Sequence, residues 1–254
     1  MTDAVQVTVD ANIAVISLNR PEARNAADLP MARGVAEALR DLDARDDLAV
    51  GVLTGAGGTF CAGMDLKAFL AGELPMIPGR GFLGLVEAPP AKPLIAAVEG
   101  WALAGGCEAV LAADLVVAAR TARFGLPEVK RGLIAAAGGL VRLPRAIPPA
   151  MAMELLLTGD TFDAERAHTL GLVNRLTEEG GALRGALELA RTIAANGPLA
   201  VRATKQVVRE SRDWPDSEVF DRQRAVVRPV FDSEDAQEGA RAFAERRAPV
   251  WRGR

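Results

Sequence analysis

The longest apolar stretch of the chain, Trp101 to Ala119, is interrupted by Gly105-Gly106, by Glu108 and by Asp114. Two carboxylates and a glycine pair within so short a run exclude a membrane span, where ionisable groups are rare and costly. The run must instead be divided and buried. It reads as a turn at Ala104-Gly105-Gly106-Cys107, a helix over Gly106 to Ala113 and a strand over Asp114 to Ala119. Glu108 then sits in an apolar helix, where a carboxylate has to be paired, neutralised or put to use.

The same alternation extends over the first two thirds of the chain. Val5, Val7 and Val9, then Ile13 to Leu18, flank Asp10-Ala11-Asn12 as a β-hairpin would. Leu29, Val35, Ala36, Leu39 and Leu42 have helical spacing, ending near Asp46-Asp47 before a strand over Ala49 to Leu53. The Gly55-Ala56-Gly57-Gly58 loop leads through Cys61 to Leu66 into Phe69 to Pro90, rich in Gly and Pro and without a period. That segment is expected to be mobile or irregular, lid-like beside a site. Pro93 to Val98 reads as a buried strand. Beyond Gly138 helices dominate: Gly139 to Arg145, Ala150 to Leu157, Ala164 to Leu170, Ala182 to Ala195 and Leu199 to Arg212, with further starts at Pro215 and Ser233. Gly171-Leu172-Val173-Asn174 stops a helix ahead of a short strand. A chain of 254 residues, half of them apolar, can bury one substantial core. The division expected is an α/β core over 1–195 and a helical region over 196–254, broken at Asn196-Gly197-Pro198. Terminal helices with apolar faces suggest an oligomer.

Several chemistries are excluded by what the chain lacks. A net charge of −3 argues against a nucleic-acid surface as its main business. Cys61 and Cys107 are the only cysteines and form no C-x-x-C pair, so neither a disulfide framework nor a zinc site is expected and no metal is assigned. The start Met1-Thr2-Asp3 shows no basic region leading into an apolar core, so the expected setting is cytoplasmic. The single histidine, His168, lies far from any Gly-x-Ser-x-Gly elbow, and there is no tyrosine. Neither a phosphate loop nor a dinucleotide fingerprint is present.

What remains is proton transfer beside a polarised carbonyl. Ala62-Gly63-Met64 and Gly105-Gly106 each follow a strand, and the second opens a helix, where free N–H groups and the helix dipole favour negative charge. Taken singly, each is better explained as a tight turn; it is their occurrence together with two glutamates that points to a site. Glu128, in Phe124-Gly125-Leu126-Pro127-Glu128, is the second candidate carboxylate. Read separately, Glu108 could be a core acid satisfied by backbone or arginine, and Glu128 a loop acid paired with Lys130 or Arg131. Asp65 reads as the cap of a helix beginning near Leu66, and Asp114 as a turn residue before a strand.

The segments Asn19 to Ala26, LTGAGGTFCAGMDLK (Leu53 to Lys67), AGGCE (Ala104 to Glu108), GLPEVKRG (Gly125 to Gly132), GGLVRLPR (Gly138 to Arg145), LLTGDTFDAERAHTLGLVN (Leu156 to Asn174) and FAERRAPVW (Phe243 to Trp251) resemble the enoyl-CoA hydratase/isomerase, or crotonase, superfamily. The resemblance covers nearly the whole chain in order. It implies a spiral of ββα units with a C-terminal helical region that assembles homotrimers or hexamers, as dimers of trimers. It also implies an acyl-CoA thioester substrate and no cofactor, coenzyme A being part of the substrate. The thioester oxygen would be held by the N–H groups of Met64 and Gly105, each donor of this kind contributing about 3–4 kcal/mol elsewhere. Glu128 would act as acid/base toward Cα, and Glu108 would orient and deprotonate water. Coenzyme A would meet backbone at Ala62 and Leu66, with Arg24 and Lys67 at its phosphates, and Phe243 and Arg246 reaching it from the C-terminal helix, across a subunit boundary if need be.

Retention of both glutamates favours hydration or its reverse over isomerisation. Two departures bear on specificity. Ala135-Ala136-Ala137 stands where hydratases commonly have Pro-Gly, placing the Ala136 methyl near the acyl and water pocket while retaining its N–H. Arg142 to Gly159 resembles the carnitinyl-CoA dehydratase branch. The expected activity is hydration of a trans-2-enoyl-CoA. Isomerase or dehydratase chemistry on the same scaffold, and a noncatalytic acyl-CoA-binding protein, are the alternatives.

Overall fold

The computed structural model describes residues 4–254, so Met1-Thr2-Asp3 lies outside the described residues. The chain opens with β1 (Val5–Asp10) and β2 (Ile13–Leu18), paired antiparallel from Val5↔Leu18 to Asp10↔Ile13. Helix α1 (Leu29–Ala44) follows, its N-cap Asp28 accepting from Met31 N at 2.9 Å. Strand β3 (Val50–Gly55) then pairs parallel with β2. After α2 (Leu66–Leu70) and the two-residue strands β4 (Met76–Ile77) and β5 (Gly81–Phe82), the chain enters β6 (Leu94–Val98), β7 (Trp101–Leu103), α3 (Gly105–Ala112), β8 (Leu115–Ala119) and β9 (Arg123–Gly125). A 3₁₀ turn, Pro127–Arg131, leads to α4 (Gly139–Ala146) and α5 (Pro149–Thr158). The elements β10 (Phe162–Asp163), α6 (Ala164–Thr169), β11 (Arg175–Thr177) and α7 (Ala182–Ala194) complete the core.

Six strands form one sheet in the order β1-β2-β3-β6-β8-β11, parallel from β2 onward. A second sheet, β10-β9-β7, lies beside it. Successive turns of chain therefore give one strand to the large sheet, one to the small sheet, and then a helix: β6, β7, α3, followed by β8, β9 and the segment leading to α4. This is the expected ββα spiral. Every residue of β6 is buried, as a parallel strand covered on both faces requires. On one face α7 packs through Ala182, Ala186 and Ala190 against Val50, Val52, Ile95 and Val117. Alanines four residues apart share one helix face, and their small side chains let it ride close to the sheet.

Two expectations are corrected. The aperiodic segment Phe69 to Pro90 is irregular, but its second half is not a lid. Phe82, Leu83, Leu85 and Val86 belong to the main core, and Arg80 fastens the bend by donating to Gly84 O and Ala88 O, both at 2.8 Å. The missing period has a local cause: Gly79, Gly81, Leu83 and Gly84 all have positive φ, so the chain reverses every few residues. Strands β7 and β10 were not foreseen, being three and two residues long, too short for a period to register.

The C-terminal region comprises α8 (Pro198–Glu210), α9 (Val219–Phe231) and α10 (Glu234–Glu245). Neither α8 nor α9 has a fully buried residue in the single chain. Lys205 ties α8 to the core, donating to Lys92 O at 2.8 Å and lying 2.5 Å from Asp114 Oδ2. Asp114 thus has a structural partner, also accepting from Leu94 N at 2.8 Å. Among the described residues no helix is long and apolar enough to cross a membrane.

Candidate active site

Two strand-to-helix turns meet at the edge of the small sheet. Cys61 extends that sheet beside β7, its N–H donating to Trp101 O (2.9 Å) and its carbonyl accepting from Leu103 N (3.0 Å). The chain then turns at Gly63, whose φ of +103° suits glycine. A methyl at Gly63 would fall 2.8 Å from Ala104 Cβ and 3.5 Å from Gly105 N, so the turns touch. The amides around Met64 are engaged: Ala62 N–H with Arg24 O, Gly63 N–H with Cys61 Sγ, Asp65 N–H with Ala27 O. Met64 N–H is not, and neither is Gly105 N–H at the start of α3; among the described residues neither donates a hydrogen bond. Ala104, between β7 and α3, has φ 49° and ψ −127°, a conformation costing roughly 1–3 kcal/mol that aims the following amide out of the strand line.

The framework behind the Met64 turn comes from the segment Asn19 to Ala26. Arg20 bridges the two helix-capping aspartates, 3.1 Å from Asp28 and 3.0 Å from Asp65. Asp65 caps α2 as expected, accepting from Lys67 N at 3.0 Å and Ala68 N at 3.3 Å. Asn25, fully buried, donates to Ala56 O (2.9 Å) and Thr59 O (2.6 Å). The sequence reading assigned Arg20 and Asn25 no role of their own, because their partners, Asp65, Ala56 and Thr59, are brought to them only by the fold.

Both candidate carboxyls border one cavity of about 980 Å³, together with Met64 and Gly105. Its apolar walls include Met76, Phe82, Val86, Leu133, Ile134 and Val141. Glu108, only 3 % exposed, projects from the first turn of α3, and its Oε1 accepts from Gly139 N at 2.9 Å. Burial pushes its pKa up to about 7, the Gly139 N–H opposing and the neighbouring Glu128 adding to the rise. Glu128 stands in the 3₁₀ turn; its Oε2 is buried with no hydrogen-bond partner, and burial raises its pKa as well. Two desolvated carboxyls bordering one cavity disfavour a double negative charge. The same burial pushes the Cys61 and Cys107 thiols up to about 11 and about 12, so neither is a thiolate nucleophile near neutral pH.

Ala62, Leu66 and Ala136 also line this cavity. The Ala136 N–H is donated to Ile134 O at 2.8 Å, so it is not the available donor that the sequence reading allowed. A tight local turn consumes it. Arg24 and Lys67 lie outside the cavity wall, exposed, with side chains that form no ion pair or hydrogen bond among the described residues. Phe243, 86 % exposed, and Arg246, the left-handed cap of α10, do not border the cavity of their own chain. His168 is on α6, with Nδ1 2.8 Å from Val173 O. Sequence reasoning missed Gly139, whose amide holds Glu108, and Arg142, which donates to Val86 O and, at 3.4 Å, to Ala137 O beside it.

A stability consequence follows from Glu108. Its folded-state pKa lies above the ordinary value of 4.5, so the folded state is favoured below pH 4.5, and that advantage is lost as pH rises through about 7. The glutamine variant Glu108→Gln retains an acceptor for Gly139 N without the charge. It is expected to melt higher than the parent protein at pH 8, by an amount on the order of 3 kcal/mol at most, and to converge with it near pH 4.5. Thermal melts across this range check the sign; equal melting at pH 8 would show that the charge is not costly.

Over residues 8–254 the chain matches the protein family described as enoyl-CoA hydratase/isomerase. It is 44 % identical to enoyl-CoA hydratase EchA19 of Mycobacterium tuberculosis over 251 residues, covering 94 % of this chain and 93 % of that one. It is 43 % identical to the carnitinyl-CoA dehydratase of Salmonella typhi over 265 residues, covering all of both. The crystal structure of an enoyl-CoA hydratase from Mycobacterium tuberculosis H37Rv superposes with a TM-score of 0.98 at 58 % identity, again over 100 % of both chains.

Proposed function

This chain belongs to the enoyl-CoA hydratase/isomerase family, and from that premise we propose that it is an enoyl-CoA hydratase, a hydro-lyase acting in the cytoplasm. It adds water syn across the 2,3 double bond of a trans-2-enoyl-CoA to give the 3-hydroxyacyl-CoA. The observation that carries this reading is the convergence on one cavity of the buried Glu128 Oε2, the buried carboxyl of Glu108 and two unengaged main-chain N–H groups.

In this reading the thioester oxygen accepts from Met64 N–H and Gly105 N–H, which draws electron density from C3 and stabilises the enolate-like oxygen as water adds. Glu108, with a pKa near neutrality, takes the proton from water, and Glu128 delivers one to Cα. An acyl group seated beside Glu128 adds to the desolvation that already favours its protonated form. Ala136 borders the acyl and water pocket. Ala62 and Leu66 meet the coenzyme A moiety, with Arg24 and Lys67 at its phosphates, and no further cofactor is needed. Phe243 and Arg246 would come from a neighbouring subunit, because their own chain leaves them away from the cavity.

That last point predicts an assembly. Sedimentation equilibrium is expected to give three or six times the 26.7 kDa chain mass, and Phe243→Ala to raise KM for an enoyl-CoA more than it lowers kcat. A monomer with full activity would remove both residues from the site.

The decisive assay is hydration of crotonyl-CoA, followed as loss of the conjugated enoyl absorbance, over a panel of acyl groups. A second reading, dehydration of a polar acyl-CoA, is favoured by the full-length match to a carnitinyl-CoA dehydratase. It would prevail if kcat/KM for carnitinyl-CoA exceeded that for every apolar enoyl-CoA. Migration of the double bond without water addition would indicate an isomerase, and binding without turnover a noncatalytic acyl-CoA binder.

A further inference from the structure

Arg131 is a cation on the wall of the catalytic cavity, with no hydrogen-bond or ion-pair partner among the described residues. It ends the 3₁₀ turn that carries Glu128, three residues further on, and side chains so spaced in a 3₁₀ helix eclipse one another on one face. Both residues border the cavity. Lys130, between them, is turned away and pairs with Asp160 at 2.6 Å. Gly132 closes the turn in the left-handed conformation, its N–H donating to Glu128 O and Val129 O, which fixes the backbone that bears both residues.

We propose that Arg131 is a positioning residue for the reaction, its guanidinium stabilising the ionised Glu128 carboxylate across the cavity edge. The inference rests on the hydratase reading for its catalytic consequence, though not for the electrostatic one. Burial drives Glu128 toward the neutral form; the residue's own backbone N–H, donating to the carboxylate, opposes this most, and Arg131 is the charge that adds to the opposition. Other groups on the elements packed around Glu128 act differently. Glu108 and Cys107 of α3 lie on the buried side, Glu108 disfavouring a second negative charge. Arg142 of α4 is directed to the carbonyls of Val86 and Ala137. Glu154 of α5 is 4.0 Å from Arg166 of α6. Without Arg131, Glu128 would stay protonated to higher pH and would be a poorer acceptor of the Cα proton in the dehydrating direction.

The test is the pH profile of Arg131→Gln and Arg131→Lys in both directions of the reaction. In Arg131→Gln the limb governed by Glu128 is expected to move to higher pH by about 0.5–1 unit, the modest size reflecting an exposed cation. Arg131→Lys keeps the charge and is expected to hold the limb within a fraction of that shift. Raising ionic strength should move the parent limb in the same direction and leave Arg131→Gln unmoved. In parallel, ¹³C-carboxyl titration of Glu128, assigned by difference with Glu128→Gln, reads the same shift without turnover. A limb and a titration unchanged in Arg131→Gln, or displaced equally in Arg131→Lys, overturn the proposal. If the parent protein hydrates no enoyl-CoA, the functional reading fails while the titration still decides this one.

Discussion

Replacing Glu128 with glutamine is expected to lower kcat for crotonyl-CoA hydration by about 10²- to 10⁴-fold, the usual contribution of a positioned acid or base. Affinity for a saturated acyl-CoA should change little. Glutamine preserves the shape of the side chain but cannot deliver a proton to Cα or recover one from it. Its partnerless Oε2 makes the substitution diagnostic, because no hydrogen bond to that oxygen is lost with the charge, and glutamine keeps an oxygen for the residue's own backbone N–H. Glu108→Gln should also slow hydration strongly, yet through water, so solvent isotope effects on the two variants should differ. The losses are not expected to add, since residues that serve one reaction step act as a unit. Equal rates for Glu128→Gln and the parent protein would remove Glu128 from the chemistry.

Gly106→Ala is expected to destabilise the protein by about 2–5 kcal/mol, combining overpacking with strained or broken hydrogen bonds. Helix propensity alone would predict a gain of nearly 1 kcal/mol from this substitution. Packing decides against it. The added methyl would lie 2.2 Å from Cys61 O and 2.9 Å from Cys61 C, backbone atoms locked to β7 on both sides. Making room for it means moving Cys61 or the start of α3, and either displaces Met64 N–H relative to Gly105 N–H. Activity should therefore fall together with the melting temperature. Gly197→Ala is a matched control: its φ is −58° and the nearest neighbouring atoms are 3.7 Å away, so little change is expected. A Gly106→Ala protein that melts with its parent would mean that the two turns are not rigidly joined.

Much of the secondary structure could be read along the chain because its causes are local. Asp28, Asp65, Asp163 and Ser233 each cap the helix that follows, accepting from an amide two or three residues on. The buried parallel strands appear as unbroken apolar runs such as Leu94 to Val98. Short strands and the positive-φ bends of residues 79–84 were not legible, since neither builds a period.

The candidate site divides along the same line. The chain by itself determined which turns end in glycine, which acids sit next to them and, through motifs running nearly end to end, which family the protein joins. Only the tertiary structure decided that Glu108 meets the amide of Gly139, 31 residues away. It also decided that Glu128 keeps an oxygen unpaired, and that Phe243 and Arg246 lie off the cavity of their own chain. Caps and periodicity arise from neighbours a few residues apart, whereas the proton affinity of a carboxyl depends on every group the fold brings near it and on the water it excludes.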